Sequence, residues 1–246
     1  MNQPTLTYFR SLWTKSNENA WLVGLSLIFL FGIPRFILVL QANVSGSFQW
    51  VSIIFMLMWA SPFIFLTRAG RKAMKLTAPG SWKWIGLGLL LGIGACFLMM
   101  VIFQLLYDES MLNAFVYTGK GVETTPFDSA FFIIYLLISM TISPVGEEFF
   151  YRGVIHLSFE EKWGDAVASM IDSTAFSLTH LAHFGIIYHL EKWTFEPMPA
   201  LIWVLGMFLL CLVFNEVKKG SGSIWGAVIT HAGFNFAMGC GLFLFL

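Results

Sequence analysis

Charge is what this sequence has least of. Only 11% of its residues are Asp, Glu, Lys or Arg, against about a quarter in a soluble globular domain. Fourteen basic and fourteen acidic residues cancel, so nothing points to nucleic acid or a polyanionic partner. Cysteine is also scarce. Cys96, Cys211 and Cys240 all sit inside apolar segments without CxxC or other metal-ligand spacing, and read as small hydrophobes. No HExxH or HxxEH is present, which leaves the common zinc-protease helices unrepresented. There is no N-terminal Met-Gly, C-terminal lipidation box, low-complexity tract or internal repeat of 20–50 residues. One helical membrane domain is the default.

What is abundant is apolar. The chain is 57% hydrophobic, with mean hydropathy +0.75, 26 Phe and 10 Trp, as suits lipid-facing and interfacial positions. Windows of about 20 apolar residues mark seven spans, near 21–41, 48–66, 85–107, 128–155, 172–190, 198–214 and 223–245. The fold class is therefore an all-α, polytopic transmembrane helical bundle of about seven to eight helices. Residues 1–20 form a cytoplasmic N-terminal segment and 21–246 a single transmembrane domain. The first apolar run is long and contains Pro34-Arg35, so it reads as an uncleaved span rather than a signal peptide. With the N-terminus in the cytoplasm, Arg10, Lys15, Arg68, Arg71, Lys72, Lys75, Lys83, Lys162, Lys218 and Lys219 fall inside, and only Lys120 and Lys192 outside. That topology puts the loop Asp108–Pro126 outside, together with Asn43-Val44-Ser45, which matches a glycosylation acceptor. Gly88 and Gly92, with Gly86 and Gly94 beside them, predict close helix packing, and Ser223 predicts an N-cap after the Gly220–Ser223 joint.

The ionisable residues at membrane depth are few: Arg35, Glu147, Glu148, Arg152, Asp172, His180, His183 and His231, with Asn235 as a neutral neighbour. Such residues are costly in lipid and mark function or pairing. At 1.5 Å per residue, Glu147, His180 and His231 each fall roughly 12 Å from the cytoplasmic side, if the fifth span starts near Asp172. Glu148 and Arg152 are i,i+4 and can pair. Phe176 and His180 share a helix face, as do His231 and Asn235. Pro144 predicts a kink, or a restart with Ser143 as cap that would put Glu147 in a first turn. Arg35 reads as a snorkelling or paired residue, or one facing a cavity that meets a substrate carboxylate. Asp172 reads as an interfacial boundary marker, and His156, Tyr188 and His189 as interfacial.

The chemistry that suits this set is hydrolysis. A base must activate water, and donors must hold the developing oxyanion. A partly shielded carboxylate beside a histidine can share a water, while a histidine–asparagine pair supplies donors.

Glu147-Glu148-x-x-x-Arg152, Phe176-x-x-x-His180 and His231-x-x-x-Asn235 together resemble the three-motif signature of the CPBP family, the type II CAAX-prenyl, bacteriocin-processing and Abi membrane proteases. The resemblance covers roughly residues 128–245. It implies an intramembrane glutamate endopeptidase, historically classed as a metalloendopeptidase, in which Glu147 and His180 activate water. It further implies that His231 and Asn235 stabilise the oxyanion and that Glu148 and Arg152 are supporting residues. Phe176 is read either as packing or as shaping a substrate groove. The expected partners are the lipid bilayer and a peptide or protein substrate near its membrane anchor. That substrate is a prenylated C-terminus in a eukaryote, and a leader peptide or membrane protein in a bacterium. The expected place is a multi-pass position in a bacterial cell membrane, or in the endoplasmic reticulum if the chain is eukaryotic, with the site in the cytoplasmic leaflet. No cofactor is expected. Zinc held by Glu147, His180, His183 and His231 is the alternative within the same reaction, and a transporter or a non-catalytic immunity protein the alternatives outside it.

Overall fold

The computed structural model describes residues 7–16, 19–122 and 129–244. Its helices are α1 Ala20–Ser45, α2 Gln49–Phe65, the short α3 Arg68–Ala73, α4 Trp82–Tyr107, α5 Ala114–Val122, α6 Ser129–Glu148, α7 His156–Thr179, α8 Pro197–Ser221 and α9 Ile224–Leu244. A π-helical segment, Phe149–Ile155, joins α6 to α7, and a 3-10 turn, His180–Ala182, closes α7. The only strands among the described residues are β1 Ile186–His189 and β2 Lys192–Phe195, paired antiparallel. The expected all-α bundle is what the chain forms. Residues 123–126 of the loop expected outside, residues 1–6 and 17–18 of the N-terminal segment, and the outermost residues of the fourth and last spans lie outside the described residues.

Local chemistry accounts for several boundaries. α1 ends on Gly46 at φ 71°, whose N–H donates to Ala42 O, and α8 ends on Gly222 at φ 69°. α8 starts with Pro197, which has no N–H to leave unsatisfied. Among the described residues, four helical stretches are long and apolar enough to cross a membrane: Ala20–Ser45, Trp82–Tyr107, the kinked Phe132–Ala182 and Pro197–Ser221. Gln49–Phe65 is a shorter apolar helix. Their outward faces carry Leu30, Leu90 and Leu105, all largely exposed, as lipid-facing residues are.

The fourth and fifth spans differ most from expectation. α6, the π segment and α7 follow one another without a loop, and the break falls at Gly164, where φ 79° and ψ 166° are accessible essentially to glycine alone. The helix that carries His180 thus starts just after Gly164 rather than at Asp172, and it ends at Ala182 rather than 190. Beyond it, Leu190 and Glu191 at φ 49° and 60° make a tight hairpin turn where a helix was expected. The depth count from Asp172 therefore fails: measured from Gly164, His180 is about 24 Å along the axis. Arg35 lies about 22 Å from the start of α1 and about 15 Å from its end.

The basic residues do gather at one end. Arg10 donates to Phe63 O and Leu66 O, Phe9 bridges Leu66, Ile224 N donates to Lys75 O, and Gly80 N donates to Ser221 O. The N-terminal segment is thereby fastened to the α2–α3 corner, and the α3–α4 connection to the α8–α9 joint. Ser223 accepts from Trp225 N, as a cap would, and its hydroxyl donates to Thr77 O.

The α4–α9 seam shows why the glycines are spaced as they are. A Cβ on Gly88 would fall 2.5 Å from Thr230 Oγ1, and one on Gly92 would run into the main-chain oxygen of Thr230. Gly86 and Gly94 face open space and take no part. Overpacking of this kind costs typically about 1–3 kcal/mol. Gly92→Ala is accordingly expected to lower the detergent melting temperature clearly, while Gly86→Ala, which gains helix propensity, leaves it unchanged or slightly raised. Equal melting curves for the two variants would contradict this packing.

Candidate active site

α6 runs through Pro144 without restarting, so Ser143 is not a cap and Glu147 is not in a first turn. Ser143 instead lies one turn before Glu147, and its hydroxyl donates to Glu147 Oε2 at 2.7 Å. Gly146, just ahead of the glutamates, lets α2 approach: a Cβ there would sit 2.5 Å from Phe55 O. Glu147 and Glu148 then point about 100° apart around the helix and meet different partners.

Glu147 faces α1. Its Oε1 pairs with Arg35 Nη2 at 2.5 Å, both side chains being buried. Arg35 Nη1 donates to Thr179 Oγ1, and Nη2 lies 3.4 Å from His180 Nε2. The Nδ1–H of His180 donates to Phe176 O at 2.9 Å, a tautomer assigned from this bond, which leaves Nε2 with its lone pair toward Arg35. From α9, His231 Nε2 comes to 3.8 Å of Glu147 Oε2.

Glu148 faces the other way. Its Oε1 accepts from His231 Nδ1 at 2.9 Å, and its Oε2 lies 3.3 Å from Arg152 Nε, the expected i,i+4 pair. Arg152 also lies 3.7 Å from Asp172 Oδ1, and its guanidinium lies over the rings of Phe176 at 4.5 Å and Phe214 at 5.2 Å. Asp172 is fully buried, holding His156 Nδ1 at 2.7 Å and the Asn215 amide at 3.1 Å. The interfacial readings of Asp172 and His156 are thus overturned. Lys218, expected in a loop, is buried too and donates to Arg152 O at 2.5 Å, satisfying a carbonyl of the π segment.

Glu147, Glu148, Arg152, His180 and His231 therefore come together, brought by α6, the π segment, the end of α7, and α9. Phe176 is buried at their centre, stacked on His180 at 4.2 Å and edge-on to His231 at 5.8 Å, so it packs the two imidazoles rather than facing an opening. Asn235 lies one turn beyond His231, and its amide donates to Ser139 O of α6 at 2.8 Å. His183 stacks on His180 at 5.2 Å. Asn43 donates to Ala182 O from within α1, which ties up the amide of the sequence match to a glycosylation acceptor. Thr179 is the neighbour to which the sequence assigns no role; Arg35 takes the paired one of its readings, and Ser143 is a partner of Glu147 rather than a cap. Ser143 had a readable signal, its i,i+4 spacing to Glu147.

The residues named for zinc are partly taken up by other contacts. His180 Nδ1 donates to Phe176 O while its Nε2 lone pair faces Arg35 at 3.4 Å, His231 Nδ1 is held by Glu148, and a guanidinium stands against Glu147. His231 Nε2 stands 3.8 Å from Glu147, and His183 Nε2 is without a hydrogen-bond partner among the described residues. Among the described residues, the metal-capable grouping is instead His156, Glu160 and Asp165 at the basic end, where Lys219 Nζ lies 2.7 Å from Asp165.

Residues 129–237, somewhat less than half of the chain, match the family described as type II CAAX prenyl endopeptidase Rce1-like. No curated protein and no solved structure matches the chain. The matched stretch contains Glu147, Glu148, Arg152, Phe176, His180, His231 and Asn235, and its family is one of peptidases. Together with the membrane-length helices, it makes this an integral membrane protein.

Removing one member of a buried ion pair leaves a charge without compensation, at about 3–5 kcal/mol. Arg152→Met should therefore lower folded yield and melting temperature sharply. Lys219→Ala, at a half-exposed pair, should cost about 1 kcal/mol or less. Retention of wild-type stability by Arg152→Met, measured by thermal unfolding in detergent, would show that the network is not structural.

Proposed function

From the Rce1-like domain over residues 129–237, we propose that the chain is an intramembrane endopeptidase that hydrolyses peptide bonds with a glutamate-activated water. The observation that carries this reading is the convergence of Glu147, His180 and His231, from three separate helical segments, on one buried space. Of the two Glu147 oxygens, Oε1 is taken by Arg35, so Oε2 is the proton acceptor. Water loses a proton to Oε2, the hydroxide adds to the scissile carbonyl carbon, and the proton passes to the leaving amine as the C–N bond breaks. His180 shares and orients that water. His231, fixed through Nδ1 by Glu148, presents Nε2 to the same space, and with a proton on that nitrogen it becomes a donor to the oxyanion. Asn235 adds a second donor once its amide leaves Ser139 O. Glu148 and Arg152 orient and do not react.

The substrate is a peptide or protein close to its own membrane anchor, because the site is buried among membrane-length helices. In a bacterial cell membrane, the setting we favour, that means leader peptides or membrane proteins; in the endoplasmic reticulum, a prenylated C-terminus.

Purified protein in detergent, offered quenched peptide and membrane-protein libraries, should cleave a subset of them. Glu147→Gln should reduce turnover by about 10²-fold or more, the scale of a lost general base. Equal cleavage by wild type and Glu147→Gln would sink the mechanism, and activity lost to chelator and restored by zinc would replace it with the metal-dependent one.

A further inference from the structure

We infer that Arg35, on α1 and outside the Rce1-like stretch, is a positioning residue for hydrolysis, holding Glu147 and His180 in register with one another. The inference rests on the reading of Glu147 and His180 as the water-activating pair. It begins from the cost of the residue. Arg35 is the single charge in the 26-residue α1, and it is 1% exposed. Such a residue persists in a membrane helix only where partners compensate it.

Its partners are not scattered. Nη2 reaches a carboxylate oxygen of Glu147 and lies within 3.4 Å of His180 Nε2, while Nη1 holds Thr179. The Thr179 hydroxyl is also 2.7 Å from Phe176 O, the same carbonyl that accepts from His180 Nδ1. Arg35, Thr179, the Phe176 carbonyl and the His180 ring therefore form a closed loop of contacts. That loop fixes the plane of the imidazole and aims its free lone pair at the guanidinium beside Glu147. The ring of Phe55 lies 5.5 Å from the guanidinium and limits its movement on the α2 side.

The same contact decides which Glu147 oxygen is free. With Oε1 on Arg35 and Ser143 on one side of Oε2, the remaining lone pair of Oε2 lies on the side where His231 stands 3.8 Å away. A planar fork can hold a carboxylate and an imidazole nitrogen at a set angle; a lysine, with one tetrahedral nitrogen, supplies the charge without the angle. A simple charge partner would not need that fork.

The test compares Arg35→Lys, Arg35→Met and Arg35→Ala with wild type in detergent, using a peptide that wild type cleaves. A displaced general base costs about 10²-fold, so Arg35→Met is expected to lose roughly that much in kcat with KM changed less than about threefold. Arg35→Lys should keep wild-type folding yet recover only part of kcat, and millimolar methylguanidine should raise kcat in Arg35→Ala. Wild-type kcat in Arg35→Met, or full activity in Arg35→Lys, overturns the inference while leaving the protease reading intact. A loss confined to KM also overturns it. If wild type cleaves nothing, the protease reading fails and positioning fails with it. The pairing itself is read separately by thermal unfolding: Arg35→Met/Glu147→Gln should be more stable than Arg35→Met, and purely additive losses would deny the contact.

Discussion

The structure depends on neutralising charge where water is absent. Among the described residues, the buried charged side chains are Arg35, Arg152 and Lys218 against Glu147, Glu148 and Asp172, three of each sign. They come from α1, α6, the π segment, α7 and α8, and His231 of α9 bridges the two glutamates. A lone ion in this setting carries a desolvation penalty of several kcal/mol. No one of these helices can therefore take its place without the others, apart from the apolar packing that also holds them. Hydrophobic burial cannot supply this specificity in a bilayer, because lipid is as apolar as the helix faces. Close glycine contacts and paired charges do that work here, the first at the α4–α9 seam and the second around the π segment.

The two adjacent glutamates divide that network into unequal halves. Glu148 belongs to a side crowded with charged and polar groups, with Arg152, Asp172, Asn215, His156 and Lys218 behind it. Glu147 belongs to a sparser side, where the guanidinium of Arg35, one serine hydroxyl and a distant imidazole face it. Their separation follows from one step of helical rotation. The π segment suits the scaffold side, since its irregular turn leaves the Arg152 carbonyl for Lys218 to satisfy.

How much of this could be read beforehand depended on whether the signal was local. The Glu148–Arg152 pair was legible because i,i+4 spacing is enough to predict contact, and Gly88 and Gly92 were legible for the same reason. The meeting of Glu147 with His180 and His231 was expected from motif order and hydropathy. The depth arithmetic behind it was wrong by about a helical half-span, because a single glycine, Gly164, placed the turn that hydropathy put near Asp172. Asp172 and His156 read as interfacial and Lys218 as a cytoplasmic basic residue because all three sit at or beyond the ends of apolar windows, and composition cannot distinguish a snorkelling charge from a paired one. The hairpin escaped notice because Leu190-Glu191 occupies left-handed positions where Asn-Gly would have announced the turn. Arg35 stood out as a lone charge, but its partner is set by how α1 packs against α6 and α7, which no spacing encodes.

The imidazole of His231 couples the two halves. Its Nδ1 is fixed by Glu148 at 2.9 Å, its ring is stacked on Phe214 at 5.1 Å, and its Nε2 faces Glu147 from 3.8 Å. Phe214 and Phe176 also contact the Arg152 guanidinium, so the cation that steadies Glu148 and the rings that steady His231 belong to one packed cluster. A change on the scaffold side therefore need not break the fold to reach the chemistry: rotating the imidazole about its Nδ1 contact would move Nε2 relative to Glu147. Two carboxylates that are neighbours in sequence, and turned to opposite duties, are thus tied again through a third helix.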